Sequence, residues 1–233
     1  MAAGTKVTRA VDVRNRIRDD ILGGRLTPGQ RLIFPAIAER YGASVGVTRE
    51  ALTWLVSQGL VRVQAHQGHV VTPLSKDDLQ DLAAARLSVE PLVLRDSISN
   101  RSLEWEARIV GAHHVMAGSF EAMSQARDDA EQPAGGRQLD DDWASAHAAF
   151  HDALFSGCRN RRLLAITRTL GEEAALYRRW SDSLTAARDV MEEHRALMVA
   201  AVSGDEETAV QRLREHVART ATSLIQAYGN DDS

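Results

Sequence analysis

The chain has 233 residues, 44% hydrophobic and 26% charged, which is a globular composition with room for two modest domains. Its single cysteine excludes an internal disulfide, and no apolar run is long enough for a membrane span or a signal-peptide core, so a cytoplasmic protein is expected. The net charge of −4 divides unevenly: residues 1–75 carry 10 basic and 5 acidic residues, and residues 76–233 carry 18 and 27. A basic first third suits a nucleic-acid-binding domain.

A helix-turn-helix followed by a β-hairpin is predicted in the first third of the chain. The predicted elements are helices at 8–22, 34–41 and 45–57 and strands at 60–64 and 69–72. Gly42 ends the second of these helices, Ser44 is placed as the N-cap of the third, and Gly59 terminates it. This order of elements is typical of a winged helix-turn-helix, whose second motif helix enters the DNA major groove.

The same region resembles the GntR family of bacterial transcription regulators. The residues that carry the resemblance are Gly24–Leu32, Ile37–Ser44, Arg49–Leu52, Leu55, Gly59–Val61 and Gly68. Phe34 and Pro35 depart from it, because the family commonly has a polar pair there. The resemblance implies a winged helix-turn-helix domain in residues 1–75. It also implies a homodimer, which would read a palindromic double-stranded DNA operator.

The candidate DNA contacts lie on the predicted recognition helix and at the hairpin tip. They are Ser44, Gly46, Thr48, Arg49, His66 and Gly68. Arg49 matches the family's arginine and either reads DNA or braces the helix against its own domain. The other three helix residues lie near the helix N-terminus, where they can reach phosphates or base edges. The two hairpin residues suit minor-groove or phosphate contact, with a merely solvated turn as the equal alternative.

Only helices are predicted after the hairpin, beginning with an N-cap at Ser75 and acidic residues in the first turn. They are placed at about 76–98, 103–130, 139–156, 160–181, 185–203 and 205–228. The fold class is therefore mainly α: an N-terminal winged helix-turn-helix followed by an all-α antiparallel helical bundle in residues 76–233.

The helical part resembles the ligand-sensing FCD domain of FadR-type GntR regulators. The residues that carry this resemblance are Arg86–Glu90, Phe150–Leu154, Asn160, Glu193–Arg195, Ala200–Asp205 and His216. It implies that this domain binds a small-molecule effector, a carboxylate, and forms the homodimer.

Four histidines fall on the inward faces of three predicted helices. His147 and His151 share one face because they are four residues apart, and His194 and His216 lie in apolar stripes of two later helices. Each alone is more often a core residue than a ligand, yet four imidazoles from three helices can surround one ion.

In the resembled family, an Asp-x-x-x-His pair and two later histidines bind a metal, and His147 stands at the Asp position. An all-imidazole set implies a divalent transition metal, zinc or nickel first, with copper and iron(II) also suited. A metal site that has been lost is the alternative.

Arg86 and Glu90 share an apolar stripe of the helix at 76–98. They form either a structural salt bridge or part of an effector pocket in which Arg86 clamps a carboxylate. The sequence thus predicts a ligand-responsive DNA-binding regulator, expected to be a repressor and not an enzyme. The alternatives are a metal-dependent hydrolase that uses the histidines and a regulator whose metal site is empty. A hydrolase would need a nearby base, which no HExxH motif supplies.

Overall fold

The computed structural model describes residues 9–128, 136–179 and 189–230, which contain nine helices and one β-hairpin. In chain order the elements are α1 (Arg9–Leu22), α2 (Phe34–Arg40), α3 (Val45–Ser57), β1 (Val61–Gln64), β2 (Gly68–Val71), α4 (Lys76–Ser99), α5 (Leu103–Asp128), α6 (Gly136–Phe155), α7 (Arg161–Arg179), α8 (Val190–Ser203) and α9 (Glu206–Asn230). The predicted fold class is confirmed. The predicted helix ends at residues 8, 130, 181 and 185 lie outside the described residues.

The chain divides into two compact units, and the first is discontinuous in sequence. It comprises Met1–Leu79 and Glu172–Trp180, whereas the second comprises Gln80–Gly171 and Ser181–Ser233. The boundary predicted from the sequence lies after residue 75, and the predicted first unit contains nothing from later in the chain. The difference has a physical reason in Leu176, which is buried in the hydrophobic core of the first unit.

The core of the first unit is built from one face of each of its helices. Val13, Ile17 and Ile21 recur at helical spacing on α1 and are all buried, and Leu52 and Leu55 are buried on α3. Burying five such side chains removes a large apolar area from water, at about 1.5–3 kcal/mol for each fully buried side chain. This packing fixes the orientation of α3, the predicted recognition helix.

Local hydrogen bonds set the ends of α3 and the hairpin. The Ser44 hydroxyl accepts a hydrogen bond from the Val47 amide at 3.3 Å, so the predicted N-cap is confirmed. Gly59, just after the helix, has a φ of +72°, which a glycine adopts without strain. The strands β1 and β2 then pair antiparallel, with Val61 opposite Val71 and Gln64 opposite Gly68.

The second unit is a bundle with its own hydrophobic core. Within it α5 packs along α6 and against α8, and α8 packs against α9. Phe150 of α6, Leu197 of α8 and Leu213 of α9 are fully buried in this core. The inward faces of these three helices therefore converge. Among the described residues, no helix is long and apolar enough to cross a membrane.

Candidate functional site

The structure brings together the four histidines singled out from the sequence. His147 and His151 come from α6, His194 from α8 and His216 from α9, and one nitrogen of each lies within 4.8 Å of those of the others. The ring centroids of His194 and His216 are 4.4 Å apart, and those of His147 and His151 are 4.6 Å apart. Three of the rings are buried and the fourth, of His151, is partly buried. Four imidazoles in such an arrangement are a donor set for a divalent transition metal.

Hydrogen bonds to oxygen orient two of these rings. The Nδ1–H of His194 donates to the carbonyl oxygen of Val190 at 2.7 Å. The Nδ1–H of His216 donates to Oε2 of Glu193 at 3.1 Å, and Arg219 donates to the other oxygen of that carboxylate at 3.2 Å. An imidazole with its hydrogen on Nδ1 carries its lone pair on Nε2, and partners of this kind are typical of metal-binding histidines.

Glu193 was not among the site residues predicted from the sequence. In the sequence it stands directly before His194, within the segment Glu193–Arg195 that carries the resemblance to the FCD domain. Its partner His216 lies 23 residues further along the chain, so the contact depends on how α8 and α9 pack.

Aromatic side chains frame the histidine cluster. The ring centroid of Phe150 lies 5.6 Å from that of His151 and 5.4 Å from that of His194, and the Trp143 ring lies 5.2 Å from His147. The indole Nε1 of Trp143 is buried and has no hydrogen-bond partner among the described residues. A buried N–H without a partner is costly, so a polar ligand that accepts this hydrogen would be favoured.

His113 of α5 meets Phe150 edge-on, with 5.7 Å between the ring centroids. Its Nε2 is likewise buried without a partner in the described part of the chain. Burial, together with the positive charge of Arg195 and the neighbouring His114, lowers the pKa of His113, so the ring is neutral at pH 7. His113 was not among the site residues predicted from the sequence, because it is adjacent to His114 and the two side chains face different ways on a helix.

Arg86 forms a buried salt bridge with Glu90 on α4. Its Nε lies 2.6 Å from Oε1 and its Nη2 lies 3.3 Å from Oε2, and the two side chains are only 8% and 1% exposed. Of the two interpretations made from the sequence, the salt bridge is the one seen directly. The guanidinium is thus already engaged by a carboxylate, in the geometry that an effector carboxylate would use.

Arg49 lies on the exposed side of α3 and packs against Phe34 of α2. Its guanidinium carbon is 5.2 Å from the centroid of the Phe34 ring, and that ring meets His69 of β2 edge-on at 5.0 Å. Burial and the charge of Arg49 lower the pKa of His69, so its ring is neutral. Phe34 of α2 therefore packs against both Arg49 of the recognition helix and His69 of the hairpin.

The remaining candidate DNA contacts divide into exposed and buried residues. Ser44, Gly46, His66 and Gly68 are exposed. Thr48 is 0% exposed, because it continues the inward stripe of Ala51, Leu52 and Leu55, and so it faces the core of the unit rather than DNA. At the hairpin tip, His66 has a φ of +63° and Gly68 a φ of +76°, which turn the chain between the strands.

Comparisons with known proteins cover both units. Residues 9–71 match the model of "Bacterial regulatory proteins, gntR family", and residues 81–219 match that of the "FCD domain". The chain is 38% identical to the uncharacterized HTH-type transcriptional regulator BphR of Paraburkholderia xenovorans (strain LB400), over 92% of this chain and 84% of that protein. It is 30% identical to the HTH-type transcriptional repressor GlaR of Escherichia coli (strain K12), over 91% of this chain and 93% of that protein.

The fold is also that of a solved structure. The structure of E. coli McbR/YncC superposes with a TM-score of 0.76 and 20% sequence identity, covering 95% of this chain and 99% of that one. The likeness extends over both units, although at this identity it concerns the fold alone.

Proposed function

The chain belongs to the GntR family of bacterial regulatory proteins, and we propose that it is a homodimeric repressor that releases a palindromic operator when a small carboxylate binds beside a metal ion. That it is a DNA-binding transcription regulator with an FCD domain follows from the family itself. Its relatives are regulators and include a repressor, so the hydrolase alternative has no support. We place its action in the cytoplasm, where the operator would be.

The metal is the part of the proposal that the histidine cluster supports. The four nitrogens lie within 4.8 Å of one another, whereas tetrahedral ligands about 2.0–2.1 Å from zinc are roughly 3.4 Å apart. Modest inward movement of the rings would therefore suffice to hold one ion. The hydrogen bonds that put the His194 and His216 lone pairs on Nε2 carry this proposal, because they fit ligand histidines. Zinc and nickel are the ions proposed, because imidazole suits both of them.

Metal content measured by mass spectrometry tests the site. Protein purified without chelator and resupplied with zinc or nickel should hold about one ion per chain. His151→Ala should lose most of it, whereas His66→Ala, which removes an exposed histidine of the hairpin, should keep it. His147→Asp should also keep a site, because a carboxylate can replace that ligand. If the wild-type protein stays metal-free, the proposed metal site is refuted and the histidine cluster is a polar pocket.

The effector is proposed to be a carboxylate that hydrogen-bonds to the Trp143 indole. The buried Nε1–H of Trp143 lacks a partner within the described chain, and its ring lies directly on His147. A ligand oxygen there would satisfy the indole and could add a further ligand to an ion held by the histidines. Arg86 is the second proposed contact, although the effector would have to take the place of Glu90 on its guanidinium.

Melting shifts of the metal-loaded protein test the effector. Small carboxylates should raise the melting temperature, and the corresponding amides should not. Trp143→Phe keeps an aromatic ring but removes the indole N–H, so it should weaken the carboxylate response and leave metal content unchanged. Equal shifts for carboxylates and amides would argue against this class of effector.

For operator binding, Arg49 is proposed to read a base and Ser44, Gly46, His66 and Gly68 to contact phosphates or the groove. The guanidinium of Arg49 is held over Phe34 while remaining on the exposed side of α3. A mobility-shift assay on an operator selected from genomic DNA tests this. Arg49→Ala should weaken the free energy of operator binding by about 1–3 kcal/mol and relax the specificity at one base position of the operator. Arg161→Ala, an exposed charge of the second unit, is the matched control and should bind normally. Unchanged specificity in Arg49→Ala would defeat the assignment.

A further inference from the structure

The outward face of α5 is apolar although nothing in the described chain covers it. The inward face carries the buried residues Trp105, Ile109, Met116 and Met123. The outward face carries Ala107, Val110, Gly111, His114, Val115, Gly118 and Ala122, all of them exposed. Val115 is 60% exposed, and between Arg108 and Glu121 the helix has no carboxylate, lysine or arginine. A continuous exposed face of this kind marks an interaction surface.

Two glycines in this face have no explanation within the chain. A Cβ added at Gly111 or at Gly118 would meet no atom of the described residues within 4 Å, apart from its chain neighbours and the adjoining backbone of its own helix. Glycine in a helix interior lowers helix stability relative to alanine, so space alone would favour a larger residue. Glycines do allow another backbone to approach closely. Their position on the exposed side therefore indicates a close approach from outside the chain.

The face is complementary to itself in the antiparallel direction. Residues whose numbers add to 229 form the pairs Ala107 with Ala122, Arg108 with Glu121, Gly111 with Gly118 and His114 with Val115. Small residues thus meet small residues, and each end opposes a positive charge to a negative one. Two-fold symmetric interfaces require such self-complementarity. We propose that a second copy of this chain docks here, with α5 packed antiparallel on α5 and the two-fold axis between His114 and Val115.

The charged residues at the ends of this face indicate that its partner is a second copy of the chain, and they set the register of the two helices. Arg108 and Glu121 are 13 residues apart on one helix, about 20 Å along its axis, so they cannot meet within a chain. In the antiparallel pair each Arg108 meets Glu121 of the other copy, and this happens twice. Within the chain Arg108 lies 3.0 Å from Glu104, and Gln125 donates to Glu121 at 3.2 Å. These pairs are exposed and weak, so they can rearrange on docking. This inference rests on the homodimer of the proposed function and assigns it a surface.

Light scattering on the full chain, over a dilution series, tests the surface. Gly118→Gln adds a side chain where the monomer has open space and favours the helix, so the fold is kept while close approach is blocked. It should raise the dimer dissociation constant about tenfold or more. Gly171→Gln on α7, a helical glycine with the same open surroundings, is the matched control and should leave the constant unchanged.

A charge exchange tests the register. Arg108→Glu and Glu121→Arg should each weaken the dimer, because like charges then face one another, and the double variant should recover wild-type affinity. Recovery can arise only between copies, since the two residues are too far apart within one helix. A Gly118→Gln protein that dimerises like wild type, or a double variant no stronger than the single ones, would overturn this surface. A wild-type protein that is monomeric would instead refute the homodimer itself.

Discussion

Glu193 connects the histidine cluster to the surface of the bundle. Its carboxylate accepts hydrogen bonds from His216 and from Arg219, so it both sets the hydrogen position on one imidazole and is itself held in place. A carboxylate behind a ligand histidine raises the basicity of the ring and fixes its orientation. The proposed metal affinity therefore depends on a residue that would not touch the ion.

We expect Glu193→Gln to lower metal affinity about 10–100-fold, because the amide orients His216 less well than a carboxylate. Competition with a chromophoric chelator measures this affinity. Glu192→Gln is the control, since Glu192 is exposed and pairs with Arg195 on the neighbouring turn. If both variants bind metal like wild type, the ring of His216 is not a ligand that Glu193 supports.

Phe34 has a comparable supporting role for Arg49 in the first unit. Replacing it by alanine removes a cation–π contact, which is worth about 0.5–1 kcal/mol at exposed sites. We therefore expect Phe34→Ala to weaken operator binding by about that amount, because Arg49 loses its fixed position. Fluorescence anisotropy with labelled operator measures it. Ile33→Ala, which truncates the exposed neighbouring residue, is the control and should bind the operator as wild type does. If Phe34→Ala binds as tightly as this control, Phe34 does not position Arg49.

Asp20 of α1 joins α1, the loop after it and α2 through three hydrogen bonds to one carboxylate. Tyr41 donates to it at 2.5 Å, Arg25 at 2.6 Å and Arg40 at 2.9 Å. Burial opposes its charge, but these donors outweigh burial and lower the pKa of Asp20 below its ordinary value of 3.8. The ionised form is therefore favoured in the folded state.

The sign of the pH dependence follows from this lowered pKa. The stabilisation by Asp20 is complete above the unfolded pKa of about 4 and is lost as the pH falls through the lower folded value. Asp20→Asn should lower the free energy of unfolding by about 1–3 kcal/mol at pH 7. It should also make that free energy less dependent on pH in the acid range. Urea unfolding between pH 3 and pH 7 checks it. Asp12→Asn, which alters an exposed ion pair of the same helix, should change little; similar losses in both variants would contradict the role of Asp20.

The sequence predicted elements well where their signals are local. The N-cap at Ser44 and the end of α3 at Gly59 are set by neighbouring residues, and the spacing of His147 and His151 places both on one helical face. The contacts of Leu176 and Glu193 could not be predicted, because periodicity shows that a face is buried but not which distant segment covers it. Thr48 was predicted to reach DNA because it lies near the helix N-terminus, whereas its position in the inward stripe of α3 buries it.

For the whole molecule, a bound ion would tie together three helices that are distant in sequence. We expect zinc or nickel to raise the melting temperature of the metal-free protein, since a ligand that binds only the folded state stabilises it by about 2.7 kcal/mol at 100 times its dissociation constant. Differential scanning calorimetry measures the shift. Magnesium should have little effect, because imidazole suits it poorly. An equal response to magnesium, or a full response in His151→Ala, would contradict the site.

The end of α7 gives the DNA-binding unit a second, non-contiguous piece. Leu176 fills its core, Tyr177 donates to Oδ2 of Asp78 at 2.8 Å, and Arg179 donates to the carbonyl of Gly23 at 2.9 Å. A gene fusion that joins residues 1–75 to a foreign sensor would therefore leave an unfilled core behind. Recombination between relatives at a single crossover meets the same obstacle. Three junctions are needed to transplant the DNA-binding unit intact, because the end of α7 has to be transferred together with the rest of the unit that it completes.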